Sequence, residues 1–469
     1  MNRRRFLIAL AAGSTIAGCV SDSSTGGNGT SNNNPATTAA TSESTDGVTT
    51  MITPTETSTS ISDRSATSPS ETKAPTPNGP SNQTTTSEPE STTYGPTSGP
   101  DERETRTPPG SPALDPQGVW PTFRFNAANT GYNPEAAGLK QGKQYWRLAP
   151  TSAASLTDEA LYTVTSGNEY RAFTRRDPAT NEIRSQTRLV DYGVNAPPTI
   201  AGDRVFVTTF IEVFCLAANR DTVVWRGPEM DGIQAPPAVS NETVFVNSGG
   251  FKATSPQLRA FDVATGNEQW RYDTGSRSYT TPAVATGRVF IASSEGLHAV
   301  DAASGERLYF TADVGGERTV PAVANESVYI FTHGRSEDDQ LVAVDAANGS
   351  VRWRERLPDL GRGPPVIADD IVYAEAEDGV VALDAARGQQ LKTIGGSGSP
   401  VARVGEVLYT TDGGTLVALD ATGGGQLWSH TTEEVQIADT IGQQVYHITP
   451  VAGAVYVSAH DGFHGFGPA

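Results

Sequence analysis

From about Asp115 onward, apolar residues fall in short runs such as Val205-Phe206-Val207 and Leu341-Val342-Ala343-Val344, each broken by Gly, Asp, Asn or Pro. Runs this short, rich in β-branched and aromatic residues and bounded by turn formers, predict strands joined by hairpins. Two phrases recur along the stretch, and their recurrence is the strongest signal in the chain. The first is Ala, a hydrophobic residue and Asp, then Gly four positions after the Asp and an aromatic residue eight after it. Ala260-Phe261-Asp262 leads to Gly266 and Trp270, Ala299-Val300-Asp301 to Gly305 and Tyr309, Ala343-Val344-Asp345 to Gly349 and Trp353, and Ala418-Leu419-Asp420 to Gly424 and Trp428. Ala382-Leu383-Asp384 keeps Gly388 but carries Lys392 in the aromatic place, and a degenerate copy keeps Trp225 while Ala217 replaces the Asp. The second phrase is Pro, an apolar run, a polar turn and a hydrophobic-aromatic pair. It surrounds Pro198, Pro237, Pro282, Pro321 and Pro365, more loosely Pro400 and Pro450, and a copy without proline runs from Ala154 to Tyr162.

Together the phrases describe a unit of two hairpins. Glycine at the turn admits positive φ, and the Asp carboxylate accepts turn N–H groups. A four-stranded sheet this small cannot bury both faces alone, so the units must stack. Eight units over the stretch take about 44 residues each, within the ~40–45 of a propeller blade. The expected fold is all-β: an eight-bladed β-propeller of four-stranded antiparallel blades. Trp146, Trp225, Trp270, Tyr309, Trp353 and Trp428 are expected to pack between neighbouring blades. The last unit has material for three strands, whereas Trp146 lies on a strand with no preceding partners. Pairing of the N-terminal and C-terminal strands is expected to close the ring and remove an open sheet edge.

The chain ahead of the repeats has a different texture. Residues 1–18 read as an export leader, with Arg3, Arg4 and Arg5, an apolar segment and then small residues up to Cys19. The apolar segment is shorter than the ~20 residues that cross a bilayer. Arg3-Arg4 with Phe6 and Leu7 resembles a twin-arginine export signal, and Ile16-Ala17-Gly18-Cys19 resembles a lipobox, which implies lipidation of Cys19. Residues 19–112 are mostly Ser, Thr, Pro, Asn and Gly and cannot bury a core, so a disordered stalk is expected. Asn28 and Asn82 head N-glycosylation patterns within it. The third part, 113–469, is the propeller. The expected location is therefore the outer face of the cell membrane, with the membrane as partner through the lipid.

Charge narrows the partners. The net charge is −19 and most of the basic residues are Arg, which resembles a halophilic, haloarchaeal proteome whose carboxylates work in highly screened solvent. No basic face for nucleic acid is visible. Cys215 sits in the apolar run Val213-Phe214-Cys215-Leu216 and reads as a small core residue.

The repeated Ala-x-Asp-x-x-x-Gly-x-x-x-Trp phrase, with the opening Trp120-Pro-Thr-Phe-Arg-Phe-Asn-Ala-Ala-Asn-Thr-Gly-Tyr132, resembles the pyrroloquinoline-quinone (PQQ)-type repeat propellers. The resemblance implies the fold from about Trp120 onward, with repeat tryptophans docking the blades. It does not imply the cofactor, because many members, including a lipoprotein scaffold that assists outer-membrane protein assembly, bind no quinone. The dehydrogenase members carry vicinal cysteines or acidic calcium ligands in long insertions. This chain has no adjacent cysteines and no Cys-x-x-Cys-His haem attachment, so no cofactor is expected and PQQ is disfavoured.

Candidate chemistry is sparse. His460 and His464, joined by Asp461, could meet at a metal only if Gly462 turns the chain, and the plainer reading is polar positions near the closing hairpin. Glu337-Asp338-Asp339 and Asp369-Asp370 could offer oxygen ligands to calcium, but read more simply as solvated loop charge. Gly395–Ser399 lacks the Lys of a phosphate loop and reads as a blade connection. Longer connections, at 248–256, 332–340 and 430–446, are expected on one face of the disc, and recognition is expected there and at the channel mouth, on loops held by a rigid scaffold. No catalytic residue and no metal site is assigned. The expected function is a non-enzymatic binding scaffold at the cell surface, recognising a protein or envelope component as a monomer. The alternatives are an extracellular PQQ-dependent dehydrogenase of alcohols or sugars, and a solute-binding or sensory module.

Overall fold

The computed structural model describes residues 110–469, apart from positions 150, 152, 167–170, 191–195, 221, 231, 251–254, 333–339, 358–363, 377–378, 396–397 and 438–439. The leader, the stalk and the Glu337-Asp338-Asp339 cluster lie outside the described residues. What is described is an eight-bladed β-propeller in which each blade is a four-stranded antiparallel meander. In ring order the blades span Ser155–Val190, Thr199–Arg226, Ala238–Asp273, Ala283–Ala312, Ala322–Arg356, Val366–Ile394 and Ser399–Thr431, and the eighth joins Val445–Pro468 to Gly142–Leu148. This last pairing is the ring closure expected from the sequence: Gly142–Leu148 lies antiparallel to Gly462–Pro468 as the outermost strand.

The first strand of each blade is innermost, and most have only three paired residues. In blades 2 to 6 it enters after the phrase's proline, which lacks an N–H and so suits the start of a strand. In four of the blades a two-residue turn then has positive φ at both positions, Asn241-Glu242, Thr286-Gly287, Asn325-Glu326 and Asp369-Asp370, the geometry that matches the twist of the flanking strands. The third-to-fourth turn is built around the phrase's Asp. The Asp262 carboxylate accepts the Ala264 and Thr265 N–H groups, and Gly266 N–H bonds back to the Asp262 carbonyl. Asp301, Asp345, Asp384 and Asp420 repeat the pattern. Blade 1 carries an unrecognised copy, in which Asp177 accepts from Ala179 and Thr180 while Asn181, at φ 60°, takes the glycine place. Asn tolerates that region better than most residues do.

The phrase's Gly and aromatic residue meet across each blade seam. Trp225 Nε1 donates to the carbonyl of Val263, Trp270 to Ala302 and Trp353 to Ala385, in each case the residue after the Asp position of the next blade. Tyr309 O–H reaches the Ala346 carbonyl in the same way. Beneath each indole lies the next blade's turn glycine: a Cβ on Gly266, Gly305 or Gly388 would come within 2.6–2.7 Å of Trp225, Trp270 or Trp353, and one on Gly349 within 2.5 Å of Tyr309. The glycine thus has two causes, a left-handed φ and an aromatic ring lying flat on its α-carbon. Where the aromatic residue is missing, Lys392 extends its ammonium to the Ala421 and Thr422 carbonyls, and a Cβ on Gly424 would find open space. The second-strand aromatic supports the indole from its own blade, with Phe206–Trp225, Phe245–Trp270 and Tyr329–Trp353 centroids at 5.8–5.9 Å.

At the closing seam the N-terminal chain imitates this turn. Trp428 Nε1 donates to the Leu139 carbonyl and lies on Gly142, so Leu139 and Gly142 stand where Val263 and Gly266 stand elsewhere. Blade 7 differs from the expected four strands. Tyr132–Asn133 adds a short parallel strand beside Arg403–Val404.

Three glycine-to-alanine variants separate the two causes. Gly305→Ala should cost about 2–5 kcal/mol, combining ~1–2 kcal/mol of backbone strain with overpacking against Trp270 worth ~1–3 kcal/mol. Gly287→Ala and Gly424→Ala, both at positive φ but with nothing closer than 4.0 Å, should show the strain alone. Urea midpoints that rank Gly305→Ala no worse than the other two would contradict the indole contact.

Candidate functional site

Antiparallel meanders sort the connections. Turns between strands one and two, and three and four, lie on one face of the disc, which is trim. Connections between strands two and three, and from blade to blade, lie on the other. Parts of the loops at 248–256 and 332–340 fall outside the described residues, but their ends leave and re-enter on this second face. The connection from Thr431 to Val445 carries a two-stranded hairpin of its own, Val435–Ile437 with Thr440–Gly442, and on it Ile441 is 68% exposed. Ser399, at the end of the Gly-rich stretch, begins the innermost strand of blade 7.

The channel is not left to solvent on the trim side. Residues 117–133 run inside the ring, with Trp120 buried and packed on Phe125 at 5.2 Å. The buried Arg124 guanidinium donates to the Pro364 and Pro365 carbonyls, and the Asn129 amide to those of Thr281, Pro282 and Pro321. Phe123 stacks on His447, whose burial pushes its pKa down to about 3. Repeat counting does not single out Arg124 and Asn129; the one sign of them is the unrepeated stretch from Trp120 to Tyr132.

Two histidines, His298 and His464, occupy blade seams. His298 and His464 stand at the same position on the third strands of blades 4 and 8. His298 Nδ1 meets Tyr272 O–H at 2.9 Å and Nε2 meets Ser293 Oγ at 3.0 Å. Burial lowers its pKa to about 4, so the ring is neutral near pH 7. Ser293 is fully buried, and the trio bridges the seam between blades 3 and 4. His464 Nε2 lies 2.9 Å from Asp461, which also accepts from Arg147 and from the Glu433 N–H. The turn at Gly462 therefore brings Asp461 to His464, while His460 packs against Tyr446 at 4.6 Å. Among the described residues no group of three or more His, Cys, Asp or Glu side chains is placed to hold a metal. Cys215 is buried, and burial pushes its thiol up to about 12.

Two shallow clefts are present. One, of about 350 Å³, lies on the trim face between the N-terminal segment and the turns of blades 5 and 6, and is lined by Phe125, Tyr132, Asn325 and Asp369. Asp369 is already engaged by Tyr132 at 3.0 Å and Arg403 at 2.7 Å, and Asp370 by Asn325 at 2.8 Å. The other, of about 210 Å³, opens between blades 3 and 4 beside Tyr272, His298, Arg307 and Phe310.

Residues 140–308, 275–336 and 331–464 match the family described as outer membrane protein assembly factor BamB. The chain belongs to this PQQ-repeat family. It is 26% identical over 202 residues to the outer membrane protein assembly factor BamB of Yersinia pestis, covering 39% of this chain and 50% of that protein. It is 30% identical over 168 residues to the serine/threonine-protein kinase AfsK of Streptomyces coelicolor, covering 34% of this chain and 20% of the kinase. The chain thus spans no more than half the length of these relatives. In structure it is similar to BamB from Moraxella catarrhalis, with a TM-score of 0.51 at 18% identity, over 71% of this chain and 100% of that one. A europium-containing methanol dehydrogenase gives 0.56 at 11% identity, over 72% and 89%. At such identities these two show the fold.

For the cofactor that this family name evokes, the described residues on the trim side of the channel do not fit. PQQ is a tricarboxylate and needs free cationic or amide donors. Arg124 and Asn129, the donors that project into the trim side of the channel, are committed to backbone carbonyls.

The histidines set a pH dependence. Burial lowers the pKa of His298, His430, His447, His460 and His464 below the ordinary 6.5. The unfolded chain therefore binds more protons than the folded one once the pH falls below about 6.5. The stability these neutral rings contribute is fully present above that value and is lost as the pH drops toward about 4. Urea midpoints should fall steadily over this window; a flat profile would mean that the rings are not buried in neutral form.

Proposed function

We propose that the protein is an exported, lipid-anchored, non-enzymatic scaffold that presents the loop-rich face of its propeller to a protein or envelope component. The observation that carries this reading is where the chain enters the disc. Leu114 N–H bonds to the Ala179 carbonyl in a third-to-fourth turn of blade 1, and Gln117 pairs with Ala452 at a first-to-second turn of blade 8. Both turns belong to the trim face. The chain thus enters the disc on its trim face, and the longer connections gather on the other. Membership in a family described by an assembly factor, rather than by an enzyme, supports the same reading. The division into a leader at 1–18, a stalk at 19–112 with Asn28 and Asn82 open to glycosylation, and a propeller at 113–469 belongs to this proposal, as do export through Arg3, Arg4, Phe6 and Leu7 and a monomeric state.

The similarity to part of a protein kinase favours one second reading, a sensory module that binds a ligand on the same face. Fold alone does not choose between the two.

Cys19→Ser should release the protein into the medium, and its retention on membranes would refute the anchor. Titration with PQQ and calcium, followed by absorbance and by dye-linked oxidation of alcohols and aldoses, should give neither saturable binding nor turnover. Saturable binding with turnover would convert the scaffold into a dehydrogenase.

A further inference from the structure

The N-terminal segment visits the blades in ring order. Gln117 N–H bonds to Ala452 of blade 8, and Trp120 exchanges two bonds with Leu156 of blade 1. The Pro121 carbonyl then takes the N–H of Ile200 in blade 2, Ala127 that of Val284 in blade 4, Ala128 that of Val323 in blade 5, Thr130 that of Ile367 in blade 6 and Gly131 that of Arg403 in blade 7. Ala127 also packs on the apolar cluster shared by blades 3 and 4. In blades 2, 4, 5 and 6 the donor is the second residue after the phrase's proline, so a single segment reads the same register four times.

These N–H groups belong to innermost strands, whose inner side has no neighbouring strand in the blade. They form an unpaired sheet edge of the kind that proteins cover or close off. The carbonyls of Pro282, Pro321 and Pro365 on the same edge are met by Asn129 and Arg124. After this circuit the chain continues directly into Leu139 and Gly142, which receive Trp428, and into the strand that closes blade 8.

We propose that Gln117–Leu148 is a keystone: one continuous stretch that closes the ring at its centre by capping the innermost edges and at its rim by completing blade 8, so that both closures form and open together. The eight blades are then held as one cooperative unit through that one segment. This inference rests on the fold and not on the scaffold reading; it stands whether or not a partner is found.

Hydrogen exchange by mass spectrometry on the full chain, at increasing urea below the unfolding midpoint, tests it without any substitution. Peptides containing Ile200, Val284, Val323, Ile367 and Arg403, together with the peptide covering 142–148, should converge on one opening curve. Independent curves for separate blades, or rapid exchange at the channel-edge amides, would overturn the proposal. Asn129→Gly keeps the positive φ of 57° while removing bonds made only to blades 4 and 5. It should lower protection about tenfold in all six peptides. A loss confined to the peptides containing Val284 and Val323 would overturn the proposal equally. Should that variant fail to fold, the urea series on the unsubstituted chain still decides.

Discussion

The structure depends on one repeated contact: an aromatic ring on the outermost strand of one blade, lying on the turn glycine of the next and hydrogen-bonded to the carbonyl three residues before that glycine. A four-stranded blade has two faces and too little chain to cover either. The ring supplies apolar area and its N–H or O–H supplies direction, a pairing typical of buried Trp and Tyr. Because the glycine has no Cβ, backbone and ring approach closely enough to exclude water. The Asp that begins the turn is half-buried and bonded to two or more turn donors, which lower the pKa of Asp262, Asp301 and Asp420; at Asp345 the Arg352 guanidinium is the larger cause. That carboxylate holds the glycine and the accepting carbonyl in place, so one turn serves both blades of a seam.

Blade 6 shows how far the contact can be altered. With Lys392 in the aromatic place, the polar half of the interaction survives as an ammonium bonded to Ala421 and Thr422, whereas the ring contact is gone and the space over Gly424 stays open. The blade still assembles, because Tyr373 and Leu383 and their neighbours bury apolar area in the adjoining clusters. One imperfect seam in a closed ring is tolerable where it would not be at an open end.

Most of the architecture was legible because each repeated residue has a local cause. Proline begins a strand, Asp and Gly make a turn, alternate apolar residues face a neighbouring blade, and eight copies repeat the message. The blade count and the pairing of Gly142–Leu148 with the C terminus follow from that regularity. The copies that were missed had lost a diagnostic residue while keeping its physical role, as with Asn181 for glycine in blade 1. Likewise Leu139 and Gly142 serve as a turn supplied from the other end of the chain, and Gly142 four residues before Trp146 was the available sign. The N-terminal circuit was not legible at all. Its bonds are mostly backbone to backbone, which impose a register but no residue type, and only Arg124 and Asn129 leave a mark in the sequence. The candidate site was the least legible part, since a recognition face is shaped for its partner and repeats nothing.

The circuit also accounts for why the two faces of this disc are unequal. A propeller whose channel stays open offers two mouths, and either face could take a ligand. Here the segment that must cap the innermost edges enters beside Ala179 and Ala452 on the trim side, so that face is occupied by the chain itself, and most of its turns are held short by the phrase's Asp or by I′-type geometry. Added length can accumulate only on the opposite face, where the connections make no seam contact of this kind. The hairpin at 435–442 and the connections around 248–256 and 332–340 lie there. Edge capping and the placing of loop variation are thus two consequences of one placement of the N-terminal chain.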